Sequence, residues 1–448
     1  MKQTYIAVAL GALAFSTYSQ GAFAQVAPAT TEPAGDYSLK ASSIGAADTG
    51  NQPLAAPTYG MAGTGFTTLH ATDGILTARI PERAAPIKTD GGVFFYPSVF
   101  VGIGHNDNVL GTPTNQIKSA FLNVAPEVVA EYKNRGDRYT AKATIDALQY
   151  DSSHDDDFVA HDVRIAGDNY FSQRARMGWS VGHIGAVDPR GWTQRTESTN
   201  PDKWTASVLE GRFIYGAPEA AGRVELDVNY VPKRYQNNRT FTEVADVNVT
   251  EVAGRVFYRI GSRTLAFVEA RQTKYDYTSS AAIDSNTERN YNLGVTWEAT
   301  AATTGVVKVG HLSKNFDLAG LSDFSGTSWE ASVRWLPLSY SAFDLTASRS
   351  TADPTGLGDY LLNTGASLAW VHRWTGYVNT RVSYGSLRTS FAAASRLDTA
   401  KTWNAMVSYN VLRWLTLGVD YAHIDRSSTD PTAAFRRNVV MFTANVTL

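Results

Sequence analysis

From Gly91 to Leu448 the sequence alternates apolar and polar positions with a period of two, stretch after stretch, which restricts the chain to extended strands with one apolar and one polar face. In RVELDVNYV, Val224, Leu226, Val228 and Tyr230 share one side, while Glu225, Asp227 and Asn229 share the other. YNLGVTWE, SWEASVRW and the terminal NVVMFTANVTL repeat the arrangement, the last placing Val440, Phe442, Ala444, Val446 and Leu448 together. Beyond residue 24 no run reaches the roughly 18 apolar residues of a helical membrane span. A mature chain that enters a membrane must therefore do so as a closed barrel, because only closure satisfies every backbone group in lipid.

Eighteen such segments start near 92, 119, 138, 157, 174, 204, 223, 246, 263, 288, 304, 327, 341, 362, 376, 400, 415 and 436. The connections between them sort by parity. After even-numbered segments they are tight: NRGD, SQ, APEAAG, IGS, TAATT, LPLSYS, WTG and RW. After odd-numbered ones they are longer and polar, from NDNVLGTPTNQIKS and DSSHDDDFVA to DRSSTDPTAAFR. Short turns at one end and long loops at the other mark an outer-membrane barrel, with turns in the periplasm and loops outside. The expected fold is all-β: a transmembrane antiparallel up-and-down β-barrel of about 18 strands, within a range of about 16 to 20. A TonB-dependent transporter needs about 22 strands and a plug, and the residues before Gly91 are too few for that plug.

Composition narrows the function. With 40 basic and 42 acidic residues there is no electrostatic footprint for nucleic acid. The absence of cysteine removes disulfides, thiol catalysis, Cys-ligated zinc and a lipoprotein anchor, and suits passage through an oxidising compartment. A charged fraction of 18% with 36 glycines and 10 tryptophans fits a turn-rich β protein.

Residues 1–24 read as a signal peptide. Lys2 precedes an apolar stretch from Ile6 to Phe15, followed by a polar break at Ser19 and Gln20 and the small-x-small ending Ala22-Phe23-Ala24. Sec-type export with cleavage after Ala24 is expected. Residues 25–90 carry Pro28, Pro33, Pro53, Pro57, Pro81 and Pro86 and little periodicity, as expected of a flexible periplasmic segment. A small plug or docking segment is the alternative, since GFTTLHATD and ILTARI alternate briefly. The barrel is expected over 91–448.

Tyr132, Phe171, Tyr215, Tyr258, Trp297, Trp335, Trp374 and Trp414 lie near the turn ends of successive even segments, as an aromatic girdle at the periplasmic headgroup level would. Arg334, Arg373 and Arg413 precede three of these tryptophans and would point the other way on a strand.

The first hairpin, FFYPSVFVGIGHNDNV with SAFLNVAPEVVAEYKNRGDRYTAKATIDALQYDSS, and the following FVAHDVRIAGDNYFSQRARMGWSVGHI resemble the putative β-barrel porin 2 family of Gram-negative outer-membrane proteins. The resemblance implies a porin that works with exopolysaccharide or capsule biosynthesis as the exit for the polymer. Its implied partners are outer-membrane lipid, a polysaccharide cargo and periplasmic export machinery; no cofactor is implied.

If the apolar faces meet lipid, the alternate residues line the lumen. These include Glu127, Glu131, Lys142, Asp146, Glu210, Arg212, Glu225, Asp227, Arg255 and Arg259. Glu269, Arg271, Glu298, Glu330, Arg334, Asp344, Arg381 and Asp420 continue the set. Both signs occur in similar numbers, so no strong single-ion selectivity is expected, and a mixed wall can exchange hydrogen bonds with sugar hydroxyls weakly and at many sites. Any barrel lumen must be polar, which is the plainer explanation. The longest loop, VDPRGWTQRTESTNPDK, offers Arg190, Trp192, Arg195, Glu197 and Lys203 as a constriction, or is a solvent-facing loop.

No catalytic set stands out. HDDDFVAHD gathers His154, Asp155, Asp156, Asp157, His161 and Asp162 without HExxH or EF-hand spacing, so it reads as a solvated outer loop rather than a metal site. GHNDN, with His105 and Asp107, reads as a strand-to-loop transition. GMAGTGF lacks a flanking strand and helix, and no GxSxG elbow occurs. The leading reading is a polymer-conducting porin, and its alternative is a diffusion porin for small solutes. An outer-membrane enzyme comes third.

Overall fold

The computed structural model describes residues 76–78, 80, 85–190, 199–300, 303–354 and 356–447, with the side chains of residues 298–300 excepted. The expected signal peptide, residues 25–75, Trp192, Arg195, Glu197 and Leu448 lie outside them, as does the side chain of Glu298.

A two-residue strand, β1 (Ile87–Lys88), precedes the long ones. These are β2 (Val93–Asn106), β3 (Ser119–Asn134), β4 (Asp137–Tyr150), β5 (Phe158–Tyr170), β6 (Ala175–Asp188), β7 (Asp202–Tyr215), β8 (Gly222–Tyr235), β9 (Val247–Gly261) and β10 (Thr264–Tyr277). They continue as β11 (Asn286–Thr300), β12 (Thr303–Phe316), β13 (Phe324–Leu338), β14 (Ser341–Ala352), β15 (Leu361–Arg373), β16 (Val378–Phe391), β17 (Arg396–Leu412), β18 (Leu415–Ser428) and β19 (Phe435–Thr447). Each pairs antiparallel with its sequence neighbours, and β19 pairs with β2, so β2 to β19 close an up-and-down ring. The expected starts agree closely; the largest displacement is at β17, which begins at Arg396 rather than near 400. There the wall simply continues upward, and the connection expected to be long and polar shrinks to 392–395.

Local chemistry sets the turns. Arg135 (φ 51°) and Gly136 (φ 103°) both take positive φ between β3 and β4, as a two-residue hairpin matched to right-handed strand twist requires. At the seam, β19 reaches only Ser98 on β2, and β1 takes the edge below it, pairing Ile87 with Phe95 and Lys88 with Phe94. The turn from β1 back into β2 needs Gly92 at φ 78°.

The two faces of the wall are inverted relative to a soluble protein. On β8, Val224, Leu226 and Val228 are 46–47% exposed, whereas Glu225 and Asp227 are at most 1% exposed. Exposed valines, leucines and isoleucines continue around the outside, from Ile103 and Val163 to Val309 and Val419. Such a surface is far larger than a monomer keeps in water, and lipid tails are the solvent that stabilises it.

Candidate functional site: the inner wall

The inner wall has two unlike parts. Along β7 to β14 it carries a belt of paired charges. Arg212 on β7 donates to Asp227 on β8 (2.6 Å), which also takes Arg255 of β9 (2.5 Å). Arg255 reaches Glu225 at 3.3 Å and Glu269 on β10 at 2.6 Å. Glu269 then accepts from Arg271 (2.9 Å) and faces Lys308 of β12 (3.4 Å), which meets Glu330 of β13 at 3.1 Å. Arg334 forks onto Asp344 of β14 at 2.7 and 3.1 Å, with Arg381 of β16 at 3.8 Å from the same carboxylate. These residues fall at alternate positions along their strands, so Arg255 sits between acids on both neighbouring strands and Lys308 reaches acids of β10 and β13.

A second cluster lies at the loop end of β10 to β14. Lys314, fully buried, donates to Asp353 (2.5 Å), Asn286 (2.9 Å) and Glu288 (3.2 Å), and its ammonium lies 4.7 Å from the Tyr275 ring centre. The Tyr277 hydroxyl donates to Asp353 (2.7 Å). In the loop above, burial and the negative charge of Asp353 push the Asp284 carboxyl up to about 6.

The other part is apolar, which corrects the expectation of a uniformly polar lumen. Leu148, Phe158, Ala160, Ile184, Trp204, Ala206 and Val208 are inward-facing and buried in the loop-side half of β4 to β7. They are covered from above. Val109 and Ile117 of the loop 107–118 pack on them, and a cavity there is lined by Val109, Leu148, Phe158, Val187, Pro189 and Pro201. On these strands both faces carry apolar residues, so alternation alone cannot tell the wall's inside from its outside.

The remaining candidates are placed as follows. Glu127 pairs with Lys142 at 3.3 Å, and Glu131 is held by Arg138 (2.6 Å) and Lys133 (3.1 Å). Asp146 takes Asn123 (2.5 Å), Glu210 faces Arg164 (3.7 Å), and Asp420 is buried on β18. Arg259 does not line the bore: it donates to the carbonyls of Pro218, Ala220 (3.2 Å) and Ser262 (2.8 Å), clasping two short turns. Arg413 lies in a short turn and is exposed. Among the constriction candidates, Arg190 forks onto Asp156 of the loop 151–157, bonding it through Nε at 2.8 Å and through a second guanidinium nitrogen. Lys203 is exposed on the outward-facing rank of β7 and is no part of a constriction. The loop that packs inward most clearly is 107–118, which sequence reasoning did not single out. The signal for it was Val109 and Ile117, which with Leu110 interrupt an otherwise polar connection.

The acidic stretch 151–157 is held by hydrogen bonds within the loop and to the end of β4. Asp157 accepts from the Tyr150 amide (2.6 Å), and Ser153 donates to Asp156 (2.5 Å). His161 stacks on His183 at 5.4 Å while Asp162 turns inward to Arg164 (2.9 Å). Among the described residues no group of three metal-ligating side chains converges. GHNDN closes the barrel: Asp107 accepts the Asn438 amide and side chain, both at 2.7 Å, and Arg437 donates to the Asn108 (2.7 Å) and Val109 (3.0 Å) carbonyls.

Seven girdle candidates, Tyr132, Phe171, Tyr215, Tyr258, Trp335, Trp374 and Trp414, are exposed at the short-turn end of the wall, and Trp297 is half-buried there. Tyr170, Tyr340, Tyr377 and Tyr409 are exposed at the same end.

A lipid-facing ring with a charge-paired inner wall, short turns and longer loops is an outer-membrane β-barrel porin. The chain belongs to the family "Putative beta-barrel porin 2", whose model matches residues 88–448. No curated protein matches it. Among solved structures it is similar to Pseudomonas aeruginosa OccK2 (OpdF) in complex with glucuronate, with 10% identity, a TM-score of 0.47, and 79% of this chain and 98% of that one covered. A BenF-like porin from Pseudomonas fluorescens Pf-5 gives 10% identity and a TM-score of 0.45, covering 79% of this chain and 99% of that one. Acinetobacter baumannii OccAB1 gives 8% and 0.45, covering 82% of this chain and 99% of that one.

Proposed function

We propose that this porin passes small polar solutes by diffusion and that it needs no periplasmic machine to do so. The observation that carries this reading is the belt, in which Arg212, Arg255, Arg271 and Lys308 face Glu225, Asp227, Glu269 and Glu330 along one wall. Equal numbers of fixed charges, paired with one another, leave a polar wall without a net potential to trap hydroxyl, amine or carboxylate groups. Weak, repeated binding is what conduction requires. The inward packing of the loop 107–118 favours slender solutes over a polymer, which is the cargo implied by family resemblance alone. Sec-type export and cleavage after Ala24 belong to the same proposal, and the mature outer-membrane protein should begin at Gln25.

Purified protein in liposomes tests the reading. Rapid swelling in small sugars and amino acids, with normal surface polymer in a deletion strain, is the expected result. Absence of swelling, together with loss of surface polymer in that strain, would transfer the assignment to polysaccharide export.

A further inference from the structure

Leu76, Thr77 and Ala78, just before the barrel, do not hang free below it. The Ala78 amide donates to the Thr140 hydroxyl (2.7 Å), and Arg138 donates to the Thr77 hydroxyl (2.7 Å) and to the Ala78 carbonyl (2.8 Å). Thr140 and Arg138 occupy the inward rank of β4, next to the short turn at Arg135 and Gly136. Thr77 is 4% exposed. Leu76 lies over Gly178 on the inward rank of β6, where a Cβ would sit 3.6 Å from the leucine side chain. Arg138 is itself fixed by Glu131 (2.6 Å), which also accepts from the Tyr96 hydroxyl (3.3 Å).

We propose that Leu76–Ala78 is a strap seated inside the periplasmic mouth of the barrel, and that the path for solute is narrowed there by the chain's own N-terminal side. Three backbone and hydroxyl groups are satisfied by two neighbouring wall residues, and an apolar anchor fills the space a glycine leaves open on the next strand but one. A segment resting on the rim by chance would satisfy its polar groups with water. This one uses a half-buried arginine whose other contacts hold it in place. The seat is independent of which solute the barrel carries.

The chain contains no cysteine, so a disulfide reports the seat directly. The Leu76→Cys/Gly178→Cys variant brings two thiols within reach of a bond, and a Cβ at Gly178 meets only ordinary contacts. In folded protein in detergent, mild oxidation is expected to cross-link this pair and not Leu76→Cys/Val181→Cys, whose second thiol lies on the outward face. Equal cross-linking of both pairs, or of neither, overturns the seat. In planar bilayers, deletion of residues 25–80 is expected to raise the single-channel conductance about 1.5- to 2-fold, and an unchanged conductance overturns the narrowing. A barrel that conducts in neither form would count against the diffusion-porin reading, and the disulfide would still decide the seat.

Discussion

Arg255 is the hinge of the charge belt, and replacing it with methionine tests the belt's energetics and its effect on permeation together. The guanidinium is 1% exposed and contacts Asp227 at 2.5 Å, Glu269 at 2.6 Å and Glu225 at 3.3 Å. At an effective dielectric constant near 20, each contact contributes roughly 5 to 7 kcal/mol of Coulomb attraction, most of it offset by desolvation. Removing one partner of such a buried pair typically costs about 3 to 5 kcal/mol, because the remaining charges stay buried and unpaired. The variant should therefore unfold at lower denaturant, and adding Glu269→Gln should restore part of the loss. The belt also becomes one charge more negative. For an ion passing about 6 Å away through water, one charge is worth roughly 0.7 kcal/mol. Screening at 0.1 M salt reduces this to about 0.4 kcal/mol. Raising the local cation concentration and lowering that of the anion by about twofold each shifts the cation-to-anion permeability ratio about three- to fourfold. Reversal potentials across a potassium chloride gradient measure it. A potential equal to that of the wild type would mean that Arg255 does not face the conducting path.

Three further outcomes follow from particular contacts. Asp107→Ala removes two bonds that tie β2 to the Asn438 end of β19, and should destabilise the closed barrel by about 1 to 3 kcal/mol, read as a lower temperature for the loss of heat-resistant mobility on gels. Arg190→Ala releases the root of the loop 189–201 from Asp156, so limited proteolysis should cut that loop faster while the wall stays intact. The Asp284 carboxyl titrates near 6 in the folded loop against 3.8 ordinarily, because burial, Asp353 and Asp359 outweigh Lys314. Its raised value means that the folded loop binds the extra proton. The stabilisation is complete below pH 3.8 and is lost as pH rises through 6. Hydrogen exchange in 278–285, corrected for its intrinsic pH dependence, should quicken between pH 5 and 7, and Asp284→Asn should remove that step.

The barrel's strand plan was legible because one-sided burial forces a period of two, and no other periodicity competes with it over this chain. The belt was legible for the same reason: Glu225, Asp227 and Arg255 stand opposite apolar neighbours. Lys308, Lys314 and Glu251 obey the same rule and were passed over, although VVKVGHLSK places both lysines on one rank with Leu312. What alternation could not reveal is a wall apolar on both sides. In WTASVLEGRF, Trp204, Ala206 and Val208 face in while Leu209 and Phe213 face out, and only the covering loops decide which side is wet. Arg259 shows the complementary limit: parity places it inward, but its strand has reached the rim, where turn carbonyls are nearer than the bore.

A cysteine scan along β8 addresses the lipid-facing wall most directly, since the background is free of thiols. Spin labels at 224, 226 and 228 in reconstituted vesicles should be relaxed by oxygen dissolved in the lipid tails, and labels at 225, 227 and 229 should be shielded from it, with a strict two-residue alternation. Equal access of oxygen to both sets would contradict a strand with lipid on one side and the charge-paired interior of the barrel on the other.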